Sequence, residues 1–152
     1  MHEFQIVRAT QEYVLEAGRL FDLYRQFYQC DPDLELATDF IESRVINDES
    51  TIFLALSSAG NGAGFVQMYP SFCSVEAVKI QILYDLYVDL DFRKQGLGRR
   101  LMEQATLYAR ESGASRLDLL TAKDNFQGQA LYESMGYVKT NEDFFAYSLD
   151  AR

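Results

Sequence analysis

The sequence is poor in the residues that build metal clusters and disulfide frameworks, with two cysteines, Cys30 and Cys73, and one histidine, His2. Two cysteines are too few for a disulfide scaffold, and with a single histidine they cannot make a Cys/His zinc cluster; a metal enzyme would need carboxylates alone. Positive charge is also short, with 14 Lys and Arg against 23 Asp and Glu and a net charge of −9. Nucleic-acid binding draws most of its affinity from a basic face that neutralises phosphates, so this balance argues against it. No uninterrupted apolar run reaches membrane-spanning length, and the opening MHEFQIVRATQEYV carries charges and no apolar signal-peptide core. These absences predict a cytoplasmic protein with no metal, no nucleic-acid partner and no membrane association.

What is present suits one folded domain spanning 1–152: the 152 residues are 48% hydrophobic and 14% aromatic, enough to bury a core without staples. Charge is unevenly placed. Seven acids and one base lie between Asp31 and Glu49, whereas Arg93 to Arg100 holds four bases and no acid. An acidic lobe and a basic loop suggest two ligands of opposite sign, although acidic stretches are commonly just solvated faces.

Period counting gives a mixed order of elements. Glu3 to Arg8 alternates as a strand; Val14, Ala17, Phe21, Tyr24 and Tyr28 recur at helical spacing until Asp31-Pro32, and a shorter helix carries Ala37, Ile41 and Val45. Thr51 to Leu56 and Ala63 to Tyr69 flank the turn SSAGNG as a hairpin, with Pro70 ending its second strand. Lys79 to Asp89 reads as a central strand, in which alternation groups Asp85 with Leu83 and Tyr87. A helix follows from Leu97 to Ser112 with Gly113 as its C-cap, then a strand from Arg116 to Thr121, a helix from Phe126 to Met135 closed by Gly136, and a last strand from Phe144 to Leu149. The sum is an α+β fold around one sheet.

The strongest chemical signal is the loop Arg93-Lys94-Gln95-Gly96-Leu97-Gly98-Arg99-Arg100 between a buried strand and an amphipathic helix. Glycines let a ligand approach the backbone, and the free N–H groups of the helix start point at it. Four cations at the positive end of a helix are unfavourable, each by about 0.3–1 kcal/mol, and a bound polyanion removes the conflict. A dinucleotide fingerprint fails because the third small position is Leu101, and a Walker A loop fails because no GKS or GKT follows. What remains is R-x-x-G-x-G.

That pattern resembles the pyrophosphate loop of the GNAT superfamily of acetyl-CoA-dependent N-acetyltransferases. Leu86, Val88 and Arg93 fit the family's strand before the loop, and Asn125, Leu131-Tyr132-Glu133 and Gly136-Tyr137 fit its later asparagine and helix. The stretches YRQFY, GFVQMYPSF, ILYDLYV and NFQGQALYESMGY are similar to a bacterial histone acetyltransferase-like branch, and the surroundings of Asp85 and Tyr132 are similar to spermidine/spermine acetyltransferases. The resemblance implies a mixed central sheet of about seven strands with about four helices on both faces. It also implies a homodimer, for which Phe144-Phe145-Ala146-Tyr147 reads either as interface or as core strand.

In chemical terms the resemblance implies that the backbone of Leu86, Tyr87 and Val88 holds the pantetheine and thioester of acetyl-CoA. The stretch Arg93, Lys94, Gln95, Gly96, Leu97, Gly98 and Arg99 would cradle the pyrophosphate, and Asn125 would bond the cofactor, with helix capping as its alternative. Tyr132 would be the general acid, since a phenol is protonated at neutral pH and close to matched with a thiolate; packing is its plainer reading. Asp85, in an apolar run, would act on the amine directly, through water or by positioning it, or be structural. The glutamate that precedes the matching aspartate in the polyamine enzymes is here Tyr84, which leaves the base unassigned. Tyr24, Tyr28, Tyr69 and Phe72 would line the acceptor pocket with aromatic faces for an ammonium group, although Tyr24 and Tyr28 also suit a core. The expected reaction is direct acetyl transfer to a primary amine of a small cationic metabolite, of the polyamine or basic amino acid type. The alternatives are acetylation of protein lysines or N-termini and a non-catalytic acyl-CoA-binding module.

Overall fold

In the computed structural model, which describes residues 3–152, the alternating runs become five strands and the helical periods four α-helices. In chain order these are β1 (Phe4–Arg8), α1 (Val14–Phe27), α2 (Leu34–Ile46), β2 (Thr51–Ser57), β3 (Gly62–Cys73), β4 (Val78–Val88), α3 (Leu97–Glu111), β5 (Leu117–Leu119) and α4 (Phe126–Ser134). The chain divides into two compact units, 1–120 and 121–152. Among the described residues no helix is long and apolar enough to cross a membrane.

The first unit holds the whole sheet, in the order β1-β2-β3-β4-β5. Its first three junctions are antiparallel and β4–β5 is parallel. Side-chain alternation sorts the two faces. Ile52, Leu54 and Leu56 of β2 join Phe65, Tyr87, Leu20, Phe21, Ala37 and Ile41 in one buried cluster under α1 and α2. The intervening Phe53 turns to the opposite face, where it meets Tyr108 of α3 at 5.9 Å between ring centres. Helices therefore cover both faces of the sheet.

Local chemistry sets the element ends. Asp33 caps α2 by accepting the Leu36 N–H at 3.1 Å, a contact worth about 1 kcal/mol. Gly113, at φ 82°, lets the chain turn after α3, with its N–H on the Arg110 carbonyl and that of Ala114 on Ala109.

Two sequence expectations are corrected. The sheet has five strands, not about seven, and the run Phe144 to Leu149 lies outside any strand, with Phe145 87% and Tyr147 91% exposed. Alternation becomes a strand only where a neighbour supplies ladder bonds, and among the described residues nothing pairs with that segment. Pro70 does not end β3, which runs on to Cys73. The β2 partner of β3 stops at the Thr51–Met68 pair, so beyond it a residue without an N–H costs no ladder bond on that side.

At Gly64, β3 and β4 approach so closely that a Cβ would lie 2.7 Å from the Tyr87 carbonyl oxygen, which is backbone and cannot swing away. Gly64→Ala is expected to destabilise the protein by about 1–3 kcal/mol, read as a lower urea midpoint. A midpoint equal to the parent's would mean that the strands separate at no cost.

Candidate active site

The site begins with an irregularity in β4. Gln67 of β3 faces Asp85, but the next residue, Met68, faces Leu83, so Tyr84 is an extra residue with no partner across the ladder. Such a bulge breaks the two-residue alternation. Leu83 consequently lies on the opposite face from Asp85, which corrects the grouping expected from simple alternation; Tyr87, opposite Phe65, does share the face of Asp85. Tyr84 is 66% exposed and meets Tyr69 edge-on at 5.7 Å.

Asp85 is 4% exposed. Burial pushes its carboxyl above the usual range, opposed by two donors: the Gln67 amide, with Nε2 2.7 Å from Oδ2, and the Tyr24 hydroxyl of α1. None of the groups acting on Asp85 is a cation. Tyr24 in turn is held among rings, 5.1 Å from Tyr28, 5.6 Å from Phe65 and 6.2 Å from Tyr87. Its hydroxyl is driven strongly upward in pKa, first by burial and then by the Asp85 charge and hydrogen bond. Tyr69 is pushed up to about 12 by burial and by Asp85. Tyr24, Tyr28, Tyr69 and Asp85 thus surround one spot. Phe72 lies three residues beyond Tyr69, on the other face of β3, and is 75% exposed.

Sequence reading missed Gln67, which is fully buried, and Ser50, whose hydroxyl donates to Gln67 Oε1 at 2.7 Å. The available signal was a lone amide inside the apolar run GFVQMY, matching the lone acid inside ILYDLY.

Beside the bulge the sheet opens. The β5 partner of β4 covers only Gln81 to Leu83, so from Tyr84 to Val88 the strand keeps β3 alone as neighbour among the described residues. This leaves backbone groups of that stretch, Leu86 and Tyr87 included, without a second strand. The glycine loop follows. Lys94 and Gly96 both adopt positive φ, 64° and 77°, and a Cβ on Gly96 would point into open space. Gly96 is the N-cap of α3 and carries no side chain to receive the first-turn amides. Lys94, Gln95 and Arg99 are exposed, Gly98 is partly covered, and Leu97 is buried as the helix's first core anchor. Arg93 folds back: its Nε donates to the Val88 carbonyl at 2.8 Å, and its guanidinium lies 5.8 Å from the Phe27 ring and 5.7 Å from Tyr87.

In the second unit, Asn125 caps α4 by accepting the Gly128 N–H at 3.1 Å and donates to Thr121 Oγ1 at 3.0 Å. Tyr132 lies near the end of α4, partly buried, 6.0 Å from the Tyr137 ring.

Comparison with known proteins agrees with this geometry. The acetyltransferase (GNAT) family model matches residues 17–137. The chain is 40% identical over 131 residues to the "Uncharacterized N-acetyltransferase YhfO" of Bacillus subtilis (strain 168), covering 86% of this chain and 87% of that protein. It is 30% identical to human N-acetyltransferase 8 over 74% of its own length, and spans 51% of that relative. A crystal structure of a probable acetyltransferase superposes with a TM-score of 0.88 at 37% identity, over 97% of this chain and 98% of that one. An aminoglycoside N-acetyltransferase in complex with CoA shares the fold, with a TM-score of 0.81 at 14% identity and 97% and 96% coverage. The open strand edge, the glycine loop and these matches together establish that the chain belongs to the acetyltransferase (GNAT) family.

Proposed function

We propose that this N-acetyltransferase transfers acetyl from acetyl-CoA directly to a primary amine of a small cationic metabolite, of the polyamine or basic amino acid type. The observation that carries the acceptor class is Asp85: a buried carboxylate with no cationic partner among the described residues, set among tyrosines. An unpaired buried anion is costly, and an ammonium group brought in by the substrate relieves that cost while the aromatic faces attract it. The resemblance of the residues around Asp85 to spermidine/spermine acetyltransferases supports the same class.

The residues present fit the donor. Gly96 leaves open space where any other residue would project a side chain, and α3 begins without a capping side chain, so its first amides suit a pyrophosphate with Lys94 and Arg99 beside them. The unpaired edge at Leu86, Tyr87 and Val88 suits a pantetheine arm held by backbone. Acetyl-CoA, when bound, supplies an activated acetyl thioester. Arg93 stiffens the junction between that strand and the loop through Val88. Asp85 takes the ammonium and, with its raised pKa, accepts a proton from it directly or through water. Tyr132 is assigned the general-acid role, in which its hydroxyl would supply the proton a coenzyme A thiolate needs, and Asn125 steadies the start of the helix that carries it. No covalent acyl-enzyme is required. A second copy of the chain, in a homodimer, is the expected assembly.

Incubation with acetyl-CoA and a panel of polyamines, basic amino acids and a lysine peptide, followed by free thiol release, tests the reading. Turnover with the small amines is expected; turnover with the peptide alone would overturn the acceptor class. Tyr132→Phe is expected to lower turnover at least about tenfold, with CoA affinity unchanged by calorimetry. Full activity in that variant removes Tyr132 from the chemistry. Gly96→Val adds about 1–2 kcal/mol of backbone strain and fills the space beside the helix start, so CoA affinity is expected to drop more than about tenfold while the protein stays folded. Parental affinity would refute the anion-loop assignment.

A further inference from the structure

We infer that Ser50 and Gln67 are positioning residues for Asp85, forming a lock that presents the donor end of a buried amide to the carboxylate and keeps it an acceptor. The role in catalysis rests on the proposed function, in which Asp85 meets the amine.

The two ends of a carboxamide have nearly the same shape but opposite hydrogen-bonding character. Gln67 is fully enclosed and lies directly across the ladder from Asp85, on the same face. Either end of its amide has the shape to meet Asp85, and nothing within the side chain chooses between them. The ionised carboxylate of Asp85 only accepts, so it takes Nε2, 2.7 Å from Oδ2, and Ser50, buried just before β2, completes the arrangement by donating its hydroxyl to the buried Oε1 at 2.7 Å, which would otherwise be left without a donor. The reversed amide would set two oxygens against each other at that distance, tolerable only with a proton between them. The Tyr24 hydroxyl approaches the same carboxylate from α1. Asp85 is thus gripped by donors from the sheet on one side and a helix on the other, and neither is a cation.

An amide does not relay protons readily, so Ser50–Gln67–Asp85 is a lock and not a proton wire. It counters burial, the force that would otherwise hold Asp85 neutral and unable to receive an ammonium. The other titratable groups at this spot are Tyr24 and Tyr28 from α1, Tyr69 from β3 and Tyr84 from β4, with Arg44 of α2 and Glu49 acting on Tyr69. Arg44 is paired with Glu49 at 3.1 Å and is not among the groups acting on Asp85, which leaves the neutral donors as the device that favours the carboxylate.

The test follows the Asp85 carboxyl directly, by carbon-13 NMR titration with Asp85→Asn to assign the resonance, in Ser50→Ala and in the volume-conserving Gln67→Met. Both variants are expected to move the midpoint upward, Gln67→Met by about one unit or more and Ser50→Ala by less. The acid limb of kcat/KM is expected to shift by the same amount, while KM for acetyl-CoA stays at the parental value. Should Gln67→Met fail to fold, Gln67→Glu keeps the shape and is expected to give a coupled carboxyl pair whose upper midpoint exceeds that of the parent. Unchanged midpoints would overturn the lock, and a shift confined to Gln67→Met would remove Ser50 from it. Midpoints that rise without any change in the acid limb would uphold the lock and instead overturn the assignment of Asp85 to the amine.

Discussion

The site depends on one extra residue in one strand. Without Tyr84, β4 would alternate regularly through Leu83 and Asp85, and its pairing with β3 would continue in a single register. The bulge leaves Leu83, opposite Met68, and Asp85, opposite Gln67, on opposite faces although they are two positions apart, each 4% exposed. It also ends the stretch over which β4 runs beside β5. A bulge locally bends and twists a strand, and the open backbone edge begins beside the buried carboxylate.

From that point chemistry is divided between backbone and side chains. Under the proposed reading the glycine loop and the open edge of β4 work through main-chain groups, which are indifferent to most substitutions provided the φ angles hold at Lys94 and Gly96. The face toward α1 works through side chains: Asp85, Gln67, Tyr24 and the rings around them. The first set suits a ligand common to a whole family, and the second suits an acceptor particular to this chain. Arg93 links the two, since it holds the Val88 carbonyl at the end of the strand while its guanidinium rests on Phe27 and Tyr87.

This division also explains what could be read in the sequence. The helices were legible because long amphipathic periods and their caps are local; Gly113 and Gly136 mark ends where the structure has them. The loop was legible because its glycines and cations are contiguous. The bulge was not, because a two-residue period looks the same with or without an insertion until the partner strand is known. The continuation of β3 past Pro70 depends on where β2 stops, and the absence of a strand at 144–149 depends on the lack of a neighbour. Neither is encoded locally. Ser50 and Gln67 became functional candidates only when the register brought Gln67 opposite Asp85.

The competition at Asp85 has a consequence for the acceptor. A carboxylate raised far by burial would be a strong base but seldom charged, and would not attract an ammonium. One held low by a cation would be charged but already paired, and a poor base. Neutral donors occupy the ground between: Gln67 and Tyr24 offset part of the desolvation without cancelling the charge. Under the proposed reading the remaining charge is what the substrate's ammonium balances, and the residual upward shift is what lets the same group take its proton. Selection of a cation and activation of an amine then rest on one side chain, whose basicity is set by its burial and by two hydrogen bonds.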